Sequence, residues 1–427
     1  MTIRMTSLPN GLRIVTDSAT EIESLAIGFW VGVGTRHEQR AENGIAHMLE
    51  HMMFKGTTSR STKDISDLIE DAGGHFNAYT SREITAYYVR ILAEHLDLTL
   101  DVLSDMLQNS TFPQEEIEKE RTVILQEIKM YEDSPDDLVF DYLLQSSFPN
   151  QSVGASGLGT PEIVSKVSQA DLKAYISKHY SPDRIVISCA GDIDHDTFVK
   201  KVEKYFTKVP APSTMGSNPG FIPASYQPTH SLVEKDTEQA HIILAFKGLS
   251  KMDDRYPVQR ILSNILGGGT SSRLWQEIRE KHGLVYTIQT FHDSYSDIGL
   301  FGMYAGTGPE ELGKLVPLAI NQINSIADGV TEQEVSRAKT QITSSVRMSR
   351  EKMLTRVDQQ GRYVLNHDTV FETAPFVEKI MAVTADDVVA LAREIFSGKL
   401  MISAIGPLKE LPPAEEIEAM LAKKYAR

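Results

Sequence analysis

Between Gly44 and Thr57 the chain places His47, Glu50 and His51 within five residues. The two histidines are four apart, so on a helix both imidazoles leave the same face, one turn from each other. Ile45, Met48, Leu49 and Met52 recur at helical spacing and predict a separate apolar stripe on that helix. Two imidazoles so arranged suit a divalent transition metal, zinc in particular. Glu50 would stand beside such an ion rather than on it. The order His-x-x-Glu-His inverts the common His-Glu-x-x-His, and both orders occur in metal-assisted peptide hydrolysis. The bland reading is a pair of surface histidines on an amphipathic helix.

Two imidazoles do not complete a catalytic zinc set, which takes three protein ligands and an open position. Glu120 and Glu127 are seven apart on a helix expected from Pro113 through Glu127, so they share a face about two turns apart. One could complete the set while the other orients a histidine. Spacing alone does not choose between them.

The elements that must position these residues can be read along the chain. Residues 12–15 and 25–33 read as strands, with a hairpin turn at Asn10-Gly11. A helix opens at Thr62 and closes at Gly73-Gly74, and 76–81 and 85–91 form paired strands. Helices are expected at about 94–109 and 169–178, and a buried strand at 184–190. That last strand holds Cys189, the only cysteine, which reads as a buried thiol and excludes an intrachain disulfide. From 209 to 228 five prolines interrupt a stretch of little periodicity, as in a semi-extended linker. The expected organisation is a catalytic domain at 1–208, a linker at 209–228 and a second domain at 229–427.

The second domain repeats the first. Four separate segments after the linker parallel four before it, at an offset of about 215 residues. The fold class expected is α+β, a tandem duplication of two similar α/β domains, each a mainly antiparallel sheet covered by helices. The repeat also serves as an internal control. His47, Glu50 and His51 align with Arg260, Ser263 and Asn264, and Glu120 and Glu127 align with Ala338 and Ser345. The apolar frame survives in the second copy while all five polar residues are replaced, so the fold does not need them.

Composition narrows the partners. The chain has 427 residues, 41% of them hydrophobic, and a formal net charge of −15. That balance argues against general nucleic-acid binding and favours basic peptides. The apolar runs are strand-sized, too short to span a bilayer. Neither a secretory signal nor an amphipathic presequence is visible at the N-terminus, so a soluble cytoplasmic protein is expected. Gly267-Gly268-Gly269 lacks the Lys-Ser/Thr of a phosphate loop and reads as a mobile glycine-rich segment.

Over essentially its whole length the sequence resembles the inverzincin peptidases of the pitrilysin and insulinase group. Within that group it resembles in particular the β-type subunit of the mitochondrial processing peptidase and its bacterial relatives. The resemblance implies one Zn2+ per chain, held by His47, His51 and Glu127, the last lying 76 positions after His51. It implies Glu50 as the general base and Glu120 as an accessory catalytic glutamate. Asn77, Ala78 and Tyr79 match an edge-strand motif that pairs with an extended substrate. Arg279 and Tyr286 match an Arg…Tyr pair that contacts substrate near the scissile bond. Asp137 and Asp141 match two acidic positions that receive a substrate arginine, although helix-terminal acids complementing the macrodipole would look the same. Relatives often carry Leu-Gly-Arg near Val153-Gly154-Ala155, and that arginine is absent here. The resemblance further implies a bacterial-type protein, a homodimeric chamber and basic peptide substrates. A non-catalytic scaffold of the same fold, or an active half that needs an inactive partner subunit, are the alternatives.

Overall fold

A computed structural model describes residues 2–209 and 221–425 of the chain. Strands β1 (Thr2–Ser7), β2 (Arg13–Ser18), β3 (Ser24–Val31), β4 (His75–Thr80), β5 (Thr85–Leu92) and β6 (Ile185–Gly191) form one sheet, in the order β1-β2-β6-β3-β5-β4. Only β2 and β6 run parallel in it. The helices of this half are α1 (Ile45–Met52), α2 (Thr62–Glu70), α3 (Leu96–Asn109), α4 (Gln114–Glu132), α5 (Pro135–Ser147), the single turn α6 (Pro161–Val164), α7 (Gln169–His179) and α8 (His195–Tyr205).

The second half repeats this plan. Its strands β7 (Ser231–Glu234), β8 (Ala240–Gly248), β9 (Val285–Ser294), β10 (Gly299–Thr307) and β11 (Met401–Gly406) are ordered β7-β11-β8-β10-β9, again with one parallel pair, β7 and β11. Its helices are α9 (Tyr256–Gly267), α10 (Leu312–Ile326), α11 (Glu332–Ser349), α12 (Met353–His367), α13 (Thr373–Ala382), α14 (Ala385–Phe396) and α15 (Ala414–Tyr425). Apart from the extra edge strand β1, the two sheets have the same topology. The expected duplication and mixed α+β class are therefore present in the fold.

The division into compact units departs from the linear boundary that the sequence suggested. One unit comprises the described parts of Met1–Lys129, Ala155–Ile222 and Met348–Glu372; the other comprises Met130–Gly154, Pro223–Arg347 and Thr373–Arg427. Helix α12, from the second half, packs on β2, β3 and β6, while α5, from the first half, packs on β7, β8 and β11. The cause is that each sheet is apolar on both faces, as fully buried strands are. In β3, Leu25, Ile27, Phe29 and Val31 face the main core of their unit, and Ala26 and Trp30 face α12. The cover is alike in the two units. Ser188 Oγ donates to the Val357 carbonyl on α12 at 2.9 Å, and Ser403 Oγ donates to the Val139 carbonyl on α5 at 2.8 Å. Most of the expected linker, 210–220, lies outside the described residues.

Charge also holds α12 to its sheet. Asp17 on β2 is fully buried and meets Arg350 at 2.5 Å and Arg356 at 3.5 Å. Removing one partner of such a cluster strands the others without compensation. Asp17→Ala is expected to lower stability by about 3–5 kcal/mol, read as a shift in the denaturant midpoint of the full chain. A midpoint indistinguishable from wild type would mean that the two arginines find other acceptors.

Gly267 is not part of a loose segment. It ends α9 so close to β9 that a Cβ there would lie 2.5 Å from the Thr290 nitrogen.

Candidate metal centre

Helix α1 buries Ile45, Met48, Leu49 and Met52, the stripe expected from sequence, and this turns His47 and His51 to the opposite side. Helix α4 buries Ile117, Ile124 and Ile128 together with Glu120, and leaves Glu127 partly exposed. The result is one cluster in which a ligand atom from each of His47, His51 and Glu127 lies within 4.8 Å of the others. Glu127 Oε2 is 3.9 Å from His47 Nε2 and 3.8 Å from His51 Nε2. Two imidazole nitrogens and a carboxylate oxygen are the donor set of a catalytic zinc, and small side-chain rotations would bring all three within its bond lengths of about 2.0–2.2 Å. Burial, aided by the neighbouring His51, pushes His47 down to about 4, so this imidazole is neutral and ready to ligate at neutral pH.

The two histidines are supported differently. His51 Nδ1 is 2.9 Å from Glu120 Oε2, which fixes the ring and leaves Nε2 facing Glu127. Glu120 in turn meets Lys55 Nζ at 2.7 Å. Burial raises its carboxyl pKa, but Lys55 and His51 overcome that pull and hold it below the usual range. Lys55 is one turn beyond His51 and was overlooked in the sequence, where a lysine at that spacing gives no signal of its own. His47 is held differently: its Nδ1 is buried without a hydrogen-bond partner among the described residues.

Glu50 is half-buried on α1, outside the three-residue set, and burial pushes its carboxyl above the ordinary range. Beside it lies a cavity of about 250 Å³ lined by Glu50, His51, Phe54, Phe76, Ala78 and Glu120 among others. Phe54 and Phe76 meet edge to face there, with ring centroids 4.8 Å apart.

Asn77, Ala78 and Tyr79 lie on β4, the edge strand of the sheet, which is hydrogen-bonded only to β5. The Tyr79 side chain does not join the cluster; its hydroxyl donates to Asp358 on α12 at 2.6 Å. Asp137 and Asp141 are on α5, in the other compact unit, where burial and Asp136 push the Asp137 carboxyl above the usual range. Arg279 and Tyr286 are brought together in that same unit. The Arg279 guanidinium lies 4.1 Å from the centre of the Trp275 ring and 5.5 Å from that of Tyr286, whose carbonyl it also contacts. The Tyr286 side chain is largely exposed, at 76%. In the second copy, Arg260 lies over the Phe376 ring at 5.1 Å and Ser263 bonds Thr290, so α9 presents no ligand set.

Among the described residues, His47, His51 and Glu127 form a cluster that could hold a metal ion. Residues 13–161 match the family model described as insulinase (peptidase family M16), and residues 166–342 match the peptidase M16 inactive domain. An uncharacterized zinc protease, YmxG of Bacillus subtilis, is 39% identical over 414 residues, covering 96% of this chain and 100% of the relative. A probable mitochondrial-processing peptidase subunit beta of Arabidopsis thaliana is 34% identical over 420 residues, covering 96% of this chain and 79% of the relative. A protease from Helicobacter pylori shares the fold with a TM-score of 0.88 at 21% identity, over 95% of this chain and 99% of that one. The chain belongs to peptidase family M16. Among its described residues no helix is long and apolar enough to cross a membrane.

Proposed function

We propose that the chain is a zinc-dependent endopeptidase of the processing-peptidase type, acting on extended basic peptides. The observation that carries this is the convergence of His47, His51 and Glu127, with Glu120 orienting one imidazole and Glu50 standing outside the set. His47, His51 and Glu127 would hold the ion, which when bound acidifies water and polarises a carbonyl. Glu50 accepts the proton of the attacking water and returns it to the leaving amine. The backbone of β4 pairs with the substrate strand, placing the scissile bond over α1. The cavity with Phe54 and Phe76 takes an apolar side chain of the peptide. Asp137 and Asp141 receive a substrate arginine, and Arg279 or Tyr286 stabilises the developing oxyanion. A homodimer, in which the second copy of one protomer closes over the catalytic copy of the other, supplies the chamber.

The test is zinc content and cleavage of a presequence-like peptide by the purified chain. Replacing the arginine upstream of the cut by alanine is expected to lower kcat/KM about tenfold to a hundredfold, the worth of a charged hydrogen bond. Equal rates on the two peptides would reject the acidic subsite. Zinc binding without any cleavage would point to a missing partner subunit, and absence of zinc would sink the enzyme reading.

A further inference from the structure

Helix α1 begins without a cap of its own. Gly44 at its N-cap has φ 96° and no side chain to accept a bond, and the first turn carries no acidic residue. Helices leave their first N–H groups without intrahelical acceptors. Here the acceptor comes from outside the helix. Glu38, buried in the segment before it, takes the Ala46 N–H on Oε1 at 2.8 Å and the Gly44 N–H on Oε2 at 2.9 Å. The Asn43 side-chain amide donates to the same Oε2 at 3.0 Å and to the Ser156 carbonyl at 3.0 Å. Gly44 itself is pinned, since a Cβ there would lie 2.8 Å from Gly159 Cα. Three N–H donors converge on this one buried carboxyl and favour its charged form against the burial that pushes its pKa up to about 7.

What this cap holds is the first turn, and the first turn carries His47, the residue after Ala46. His51 is fixed by Glu120 through its own ring, whereas the His47 Nδ1 has no hydrogen-bond partner among the described residues. With no hydrogen bond at Nδ1 among the described residues, His47 is placed by the backbone beneath it and by the edge of the His51 ring, 4.7 Å away between centroids. We infer that Glu38 is the positioning residue for His47, doing through the helix N-terminus what Glu120 does for His51 through its ring. The inference rests on the metal reading proposed above.

Glu38→Gln in the full-length chain tests it, because the amide keeps the shape but turns donors toward donors. Zinc affinity, measured by competition with a chelator, is expected to fall about tenfold to a hundredfold, the usual cost of losing a group that orients a ligand. The visible absorption of the cobalt-loaded variant should change with it. Further replacement of His47 by alanine should cost less zinc affinity in the Glu38→Gln background than in wild type. Glu120→Ala, acting through the other histidine, should add its full cost in that background. Zinc affinity and cobalt spectrum equal to wild type would overturn the inference and leave the metal site standing. Wild type that binds no zinc would overturn both. Should Glu38→Gln not fold, Asn43→Ala removes one of the three donors and decides the matter: a smaller loss of affinity supports the role, and none refutes it.

Discussion

Glu50→Gln is expected to lower kcat on a cleaved peptide by about 10²- to 10⁴-fold while one zinc per chain stays bound. The two halves of that expectation come from different features. Glu50 stands on α1 between the histidines but contributes no atom to the three-ligand cluster, so its amide leaves the ion its full set. An amide of the same size preserves the packing of the half-buried side chain but cannot take a proton from water. Rate should therefore fall with KM little changed, because the residue acts on the reaction and not on the peptide. Metal analysis and steady-state kinetics on one preparation are sufficient. A variant that loses zinc would move Glu50 into the ligand set, and one that retains its rate would remove it from the chemistry.

Glu127→Ala is expected to abolish stoichiometric zinc binding. Two imidazoles on one turn of helix remain, and a catalytic site needs three protein ligands. Because the Glu127 side chain is 38% exposed, the metal-free variant should unfold at the same temperature as metal-free wild type. Adding zinc separates them. At a free concentration of a hundred times its Kd, zinc stabilises wild type by about 2.7 kcal/mol, and the variant should gain nothing. Glu120→Ala gives the comparison, since it removes the partner of His51 but no ligand. It should weaken zinc about tenfold to a hundredfold without abolishing stoichiometric binding. If the two variants exchanged these behaviours, the roles of the two glutamates would be reversed.

The two candidate histidines were legible in sequence because two periodicities coincide on α1. Its apolar stripe fixes which side faces the core, and the histidines necessarily take the other. The topology was legible because the chain states it twice. What could not be read were relations that no local pattern encodes. The apolar faces of α5 and α12 say that each must be covered, but not by which sheet, and each crosses to the unit of the other half. Glu38 likewise sits in an irregular segment ahead of the helix it caps, and a buried acid without periodic context resembles any loop residue. Lys55 matters only because Glu120, far along the chain, ends beside it. Tyr79 illustrates the converse: its position on the edge strand was legible, but the direction of its side chain depends on Asp358.

The crossing of α12 has a consequence for the order in which the molecule can be made. Strand β3 presents Trp30 on the face that α12 covers, where a Cβ on Gly361 of that helix would lie 2.5 Å from the Trp30 ring. A ribosome that has released the whole first half has thus not yet produced the lid of its sheet. The sheet beneath α1 keeps one apolar side open until residues 353–367 have emerged. Cutting the gene at the repeat boundary would therefore yield no working half, because each piece would carry away a helix that the other requires. The duplication has become indivisible, because each copy's sheet is covered only once a helix of the other copy is in place.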